Sequence, residues 1–264
     1  MRTLPCPGFP AAGIASYLLL AIVTLSVTPT TRAVDRFKIN NTDNLNLGSS
    51  WTGGVPSRDH MAVWTNAVTG ANSSLLGGNV NWQGIRIANP GGAITIGLGN
   101  TLTLDAGAAG TSFDMSAATQ NLTIQSGLTI RGAVGQLWNI GTGSTLTLNT
   151  GTFTRGAGAT LIVQGAGSVV TTMPSLNSGS LVNGIIGPWA IIGTGTSASY
   201  ATINGSDTIV AYIGGTAAAT AANVTDTTGL INYDVAAVGA FGTGPSFNTL
   251  RYTGAAGTIT GNFT

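Results

Sequence analysis

A three-residue theme that returns along the middle of the chain limits its fold more than anything else in the sequence. Short triplets recur between about Leu75 and Val170: Ile94-Thr95-Ile96, Leu102-Thr103-Leu104, Leu122-Thr123-Ile124, Leu128-Thr129-Ile130, Leu146-Thr147-Leu148 and Leu161-Ile162-Val163. Most alternate an aliphatic residue with threonine, the period-2 pattern of a half-buried strand. Gly, Asn, Ser or Ala separates them, residues suited to tight corners. Three copies share an opening: GNTLTL from Gly99, GSTLTL from Gly143 and GATLIV from Gly158. The steps from Leu102 to Leu122 and from Leu122 to Leu146 average roughly 22, within the range of about 20–30 that marks a solenoid of short strands. The expected fold is therefore all-β: a β-helix with two or three short strands per coil, successive coils stacking about 4.8 Å apart. Leu102, Leu104, Leu122, Ile124, Leu146 and Leu148 are expected to point inward, with Thr103, Thr123 and Thr147 outward. A β-sandwich or jelly roll is the alternative, since strands every ~8–12 residues suit it as well.

Composition agrees with strands and turns. Only 6% of residues are charged against 43% hydrophobic, and 40 are glycine; soluble domains carry about 25% charge. Disordered chains are charge-rich and poor in β-branched residues, so disorder is excluded. There is no Glu, and Lys38 is the only lysine. Without a basic patch, nucleic acid is not an expected partner.

The N-terminus reads as an export signal. Arg2 is the only charge before Arg32, and Ile14 to Val27 is an apolar stretch ended by Pro29. Thr31-Arg32-Ala33 puts small residues at the two positions a signal peptidase reads. The apolar stretch is short of the ~20 residues needed to span a bilayer. The mature chain is expected to begin at Val34, with no membrane span. Cys6 leaves with the leader, so neither a disulfide framework nor a cysteine metal site is expected. The organisation read from this is a signal peptide at 1–33, an N-terminal cap region at 34–74 and solenoid repeats at 75–183. A C-terminal β region at 184–264 follows, read as a truncated continuation of the solenoid, with the Ala/Thr-rich 216–222 as a loop. The segment SWTGGVPSRDHMAVW is read as a turn and strand that cover the first open coil, which solenoids require.

Three parts of the chain resemble the autotransporter-associated β-strand repeat proteins of large exported bacterial polypeptides. They are WTGGVPSRDHMAVW from Trp51, the NTLTL and STLTL strands, and GIIGPWAIIG from Gly184 followed by SASYATINGSDTIVAY from Ser197. The likeness spans about Leu45 to Thr264. It implies a right-handed parallel β-helix, export, and a structural or adhesive role at the cell surface. The chain departs from that family in being short and in lacking a recognisable C-terminal membrane barrel.

The residues that carry chemistry are few. His60 is the only histidine; beside Asp59 it lacks a nucleophile elbow, and it reads as a turn residue. A zinc site lacks ligands. β-Helices also carry polysaccharide lyases and glycosidases, which makes such an enzyme the alternative reading. Asp105 and Asp114 form the best acidic pair by spacing, with Asp207, Asp226 and Asp234 further on, and turn aspartates that bond their own backbone account for all of them. Lys38 stands alone where a lyase would want a base beside calcium, and the G-G-x-G-x-D repeats of calcium-loaded rolls are missing. Gly91-Gly92 and Gly214-Gly215 read as turns. Six N-x-S/T sequons, at Asn40, Asn72, Asn121, Asn204, Asn223 and Asn262, follow from an Asn- and Thr-rich composition. The expectation is an exported, non-catalytic surface protein with no catalytic residue, cofactor or metal. Its expected partners are surface glycans, or other copies met through an uncapped C-terminal edge.

Overall fold

Alternating Thr with Leu or Ile builds strands that have one face for a core and one for water, and the chain winds these strands into coils. The computed structural model describes residues 34–107 and 110–261; the expected leader, its cleavage site and the sequon at Asn262 lie outside them. The protein is nearly all β, with 5% helix, and its stacked parallel strands form a β-solenoid of about six turns.

Each coil visits three sheets in turn. The first sheet takes Val34–Lys38, His60–Trp64, Gly84–Ile87, Thr111–Met115, Gly135–Ile140, Thr160–Gln164 and Ala190–Ile192. The second takes Asn72–Ser74, Ile94–Ile96, Leu122–Ile124, Thr145–Leu148 and Ser168–Thr171, and the third Val80–Trp82, Thr101–Leu104, Gly127–Ile130 and Phe153–Arg155. Every rung of these ladders is parallel to the next, so the sandwich alternative fails. The ladder already begins at Val34, and His60–Trp64 and Asn72–Ser74 are full rungs of it.

Inward residues form continuous columns. Ile94, Leu122, Leu146 and Val169 share one, and Leu102, Leu128 and Phe153 another. On the first sheet Ile85, Phe113, Trp138 and Val163 follow one another. All six residues expected to face the core are 0% exposed, and Thr103, Thr123 and Thr147 keep partial exposure outside.

Part of the repeat read in the sequence holds and part does not: Leu122 and Leu146 are direct partners on adjacent rungs of the second sheet, whereas Leu102 and Leu122 lie on different sheets. The three shared openings do not stack on each other: GNTLTL enters the third sheet, GSTLTL the second and GATLIV the first. Leu122 pairs with Ile94 and not with Leu102, and Leu102 pairs with Leu128. The coil thus varies in length, from 22 residues between Asn72 and Ile94 to 28 between Ile94 and Leu122. The theme recurs more often than the coil for a local reason: a strand on any of the three faces meets the same core on one side and water on the other, so the same Leu-Thr-Leu pattern serves all of them.

Corners are tight enough to demand particular residues. Gly165 has φ +97, and a Cβ there would come 2.0 Å from the carbonyl oxygen of Ile140 in the preceding coil.

Each end of the stack is covered. Trp51 lies edge-on to Trp64 at 5.3 Å and to Trp82 at 5.6 Å, and its Nε1 donates to the Leu45 carbonyl at 2.7 Å. Of the two tryptophans that bound the expected cap, Trp51 covers the core and Trp64 is inside the first sheet. At the other end Met173, Leu176 and Ile186 join the main core. Ser199–Ile203 and Ile209–Ala211 add antiparallel strands beyond Ala190–Ile192.

A second, smaller stack follows, with its own core of Ala218, Ala221, Val224, Tyr233, Val235 and Phe241. Thr216–Ala218, Asn232–Val235 and Thr249–Tyr252 are its parallel rungs, with Gly239–Ala240 beside Ile259–Thr260. The Ala/Thr stretch expected to be a loop is instead the strand Thr216–Ala218 and the 3-10 turn Ala221–Asn223. Pairing with the next rung overrides alanine's weak strand preference.

Asp226 ties the loop of this stack, accepting from Thr228 Oγ1 at 2.7 Å, Thr228 N at 2.8 Å and the amides of Leu230 and Ile231 at 3.2 Å. The Thr228 bonds lead in drawing its pKa down from 3.8 to about 2. A depressed carboxylate stabilises the fold above its unfolded pKa and loses that contribution as pH falls through its folded one. The melting temperature should therefore drop more steeply from pH 4 to pH 2 in the native protein than in Asp226→Ala; parallel slopes would contradict this.

Candidate functional site

The outward positions of the second and third sheets make two uncharged hydroxyl and amide rows. Ser73, Thr95, Thr123 and Thr147 succeed one another on the second sheet, where Val170 ends the row. Asn81, Thr103, Thr129 and Thr154 do so on the third. The register repeats at the ~4.8 Å spacing of paired strands, so each row is a straight line of donors and acceptors on a rigid support. All eight side chains are at least partly exposed. Asparagines fix the corners: Asn79 Oδ1 accepts from Thr101 N, and the sequon residue Asn121 accepts from Thr145 N, both at 2.9 Å.

The aspartates weighed for catalysis lie on different elements, and Asp105, Asp114, Asp226 and Asp234 each hold hydrogen bonds. Asp105 sits at the corner after the third sheet, its Oδ1 accepting from Arg131 at 2.6 Å. Asp114 lies on the outer face of the first sheet and accepts from Arg86 Nε at 2.8 Å and Ser116 Oγ at 2.7 Å. Burial pushes the Asp114 carboxyl up, but the bonds from Ser116 and Arg86 outweigh it and hold the group below the usual range. Arg86 also reaches Asp35 at 2.8 Å. Asp234 receives both arms of Arg251, at 2.7 and 2.6 Å. Asp207 has φ 56 in the hairpin turn, and Asp226 ties its loop. Asp105, Asp114 and Asp234 each answer to their own arginine, unlike two carboxylates flanking a glycosidic bond. Sequence reasoning weighed the acids and missed these arginines. The available signal was distance along the chain: Asp105 and Arg131 are separated by 26 in sequence and Arg86 and Asp114 by 28, one coil in each case.

His60 closes a turn. Its Nδ1 lies 2.6 Å from Ser57 Oγ and its Nε2 3.0 Å from Arg36 Nη2. A guanidinium only donates, so Nε2 accepts from Arg36, while Nδ1 faces both the Ser57 hydroxyl and the Ser57 backbone N–H, which donates to it at 3.2 Å. Burial first, then the Arg36 charge, lowers the His60 pKa, with Asp59 opposing. The single histidine should titrate below 6.5 by NMR and move upward in Arg36→Ala; an unmoved resonance would contradict the contact.

Lys38, the isolated lysine, is 1% exposed and donates to the Ile39 and Asn41 carbonyls and to Asn41 Oδ1 at 2.9, 2.7 and 2.7 Å. It is a fastening at the N-terminal end of the stack. Among the described residues no three His, Cys, Asp or Glu side chains gather as a metal site, and no helix is long and apolar enough to cross a membrane.

Comparison with protein-family models, with curated proteins and with solved structures finds no match.

Proposed function

We propose that the protein is an exported, non-catalytic β-solenoid that works at the cell surface or outside the cell, its hydroxyl rows holding polysaccharide. The observation that carries this reading is the pair of four-residue Ser/Thr/Asn rows on the second and third sheets. Such rows match the repeating hydroxyls of a glycan without needing charge. The leader-like Ile14 to Val27 stretch and the resemblance of the strand series to autotransporter-associated repeats support export.

The test is retention on insoluble polysaccharides. The protein should be held, and Thr103→Val/Thr129→Val/Thr154→Val, which removes three hydroxyls at nearly constant shape, should bind at least about tenfold more weakly with an unchanged circular dichroism spectrum. Equal retention would overturn the reading, and release of new sugar ends would move it to a polysaccharide-cleaving enzyme.

The strands Thr249–Tyr252 and Ile259–Thr260 each have a neighbour on one side only among the described residues. Open edges of this kind template pairing with another chain, and the low net charge does little to oppose it. Self-association through this edge belongs to the same proposal. Sedimentation velocity should show mass growing with concentration; a constant monomer would contradict it.

A further inference from the structure

The corner where each coil passes from the third sheet to the first is uneven. Between Val80–Trp82 and Gly84–Ile87 the corner is Gln83 alone, whereas six residues of sequence separate Leu104 from Thr111 and four separate Ile130 from Gly135. Gln83 is bonded on both sides: its amide reaches the Ser57 and His60 carbonyls at 3.1 Å, and its carbonyl accepts from Ala106 N at 2.8 Å. A one-residue corner between longer ones leaves a recess. It has a volume of about 370 Å³, and Arg58, Asp59, Asp105, Gly107, Arg131 and Val134 are among its lining residues. That is the size of a small-ligand site, about 300–1,000 Å³.

The recess has a built polar interior. The Asp105 side chain is 7% exposed and holds Nη1 of Arg131, whose side chain is 42% exposed. The other Asp105 oxygen, Oδ2, is buried without a hydrogen-bond partner. Arg58 and Asp59 approach only to 3.8 Å, with side chains 59% and 80% exposed, so this pair leaves its guanidinium available. Two guanidinium forks beside one recess suit a planar carboxylate. Two aspartates bring the four charges to zero, which disfavours a doubly charged phosphate and supplies acceptors for hydroxyl groups. Among the described residues that line it none is aromatic, so recognition by them is polar.

We propose that this recess binds a uronate, a sugar residue carrying a carboxylate, with Arg58 and Arg131 on the carboxylate, Asp59 facing the ring hydroxyls and Asp105 holding Arg131 in place. The inference rests on the polysaccharide reading above and names a charged subsite within it.

Calorimetry on the full chain with trigalacturonate and with its methyl ester tests it. The acid should bind and the ester at least about tenfold more weakly. Arg58→Gln should weaken the acid to the ester's level, and Arg131→Lys, which keeps a cation on Asp105 but loses the fork, should also weaken it. Equal binding of acid and ester, or an unaffected Arg58→Gln, would overturn the recess. If insoluble neutral polysaccharide is still retained, the recess alone falls; if nothing is retained, both readings fall.

Discussion

Trp138→Ala is expected to lower the stability of the protein by about 3–5 kcal/mol. The ring is 0% exposed and stands in the column between Phe113 and Val163, edge-on to Phe113 at 5.3 Å and 81°. Its Nε1 has no hydrogen-bond partner, so truncation orphans no acceptor, and the loss is apolar burial plus the cavity left behind. In a solenoid each rung touches only its neighbours, so stability is carried by the interfaces between coils. A void at the middle rung therefore weakens the coupling of the coils on either side, and the urea transition should broaden as well as shift. Thr147→Ser, on an outward position of the second sheet, should cost under about 1 kcal/mol. Urea denaturation of the two variants is the check. A larger loss for the threonine change would mean that inside and outside have been exchanged.

The second large effect is expected at Lys38. Its ammonium is satisfied by three acceptors from 39–41, and its stem fills space beside the first coil. Lys38→Ala removes the stem and the donor to Asn41 Oδ1, while the Ile39 carbonyl keeps the Asn41 amide and the Asn41 carbonyl keeps the Asn72 side chain; the cost is about 3 kcal/mol, since bonds to a charged group contribute roughly 1.5–3 kcal/mol and do not add fully. Lys38→Met keeps the stem and should lie between alanine and the native residue. Burial lowers the Lys38 pKa, against the pull of Asp43. A folded pKa below the unfolded 10.5 means that the unfolded chain binds more protons in the window just below 10.5, so this group's contribution to stability rises with pH there. The difference in melting temperature between the native protein and Lys38→Met should therefore shift in favour of the native residue from pH 7 to pH 10. A native-minus-variant difference independent of pH would contradict the burial.

The strand positions and their inward faces were legible in the sequence because Leu-Thr-Leu at Leu102 and Leu146, and Leu-Thr-Ile at Leu122, report burial directly. The register between coils was legible only in part: Leu122 and Leu146 are true partners, but one local pattern serves three faces, and Leu102 and Leu122 look like copies and lie on different sheets. The ion pairs were hidden for the same reason. Asp105 meets Arg131 only once the coil length is known, and a coil a few positions shorter misses the pairing. The small stack was harder still, since Thr216–Ala218 carries no large aliphatic residue and is held by its neighbour Asn232–Val235. The role of His60 depends on which ring nitrogen faces Arg36, and nothing in the spacing of Ser57, Asp59 and His60 records that. The hydroxyl rows, by contrast, follow directly from the alternation once the strands are stacked.

Cysteine cross-linking tests the stacked register on which the hydroxyl rows depend. Thr123 and Thr147 are direct partners on adjacent rungs, a separation of about 4.8 Å that lies within the ~4.4–6.8 Å between Cα atoms that a disulfide spans. Thr103 and Thr123 occupy equivalent positions in the sequence theme but different sheets. In a Cys6→Ser background, Thr123→Cys/Thr147→Cys should close on mild oxidation and Thr103→Cys/Thr123→Cys should stay reduced. Closure of the second pair and not the first would contradict the stack.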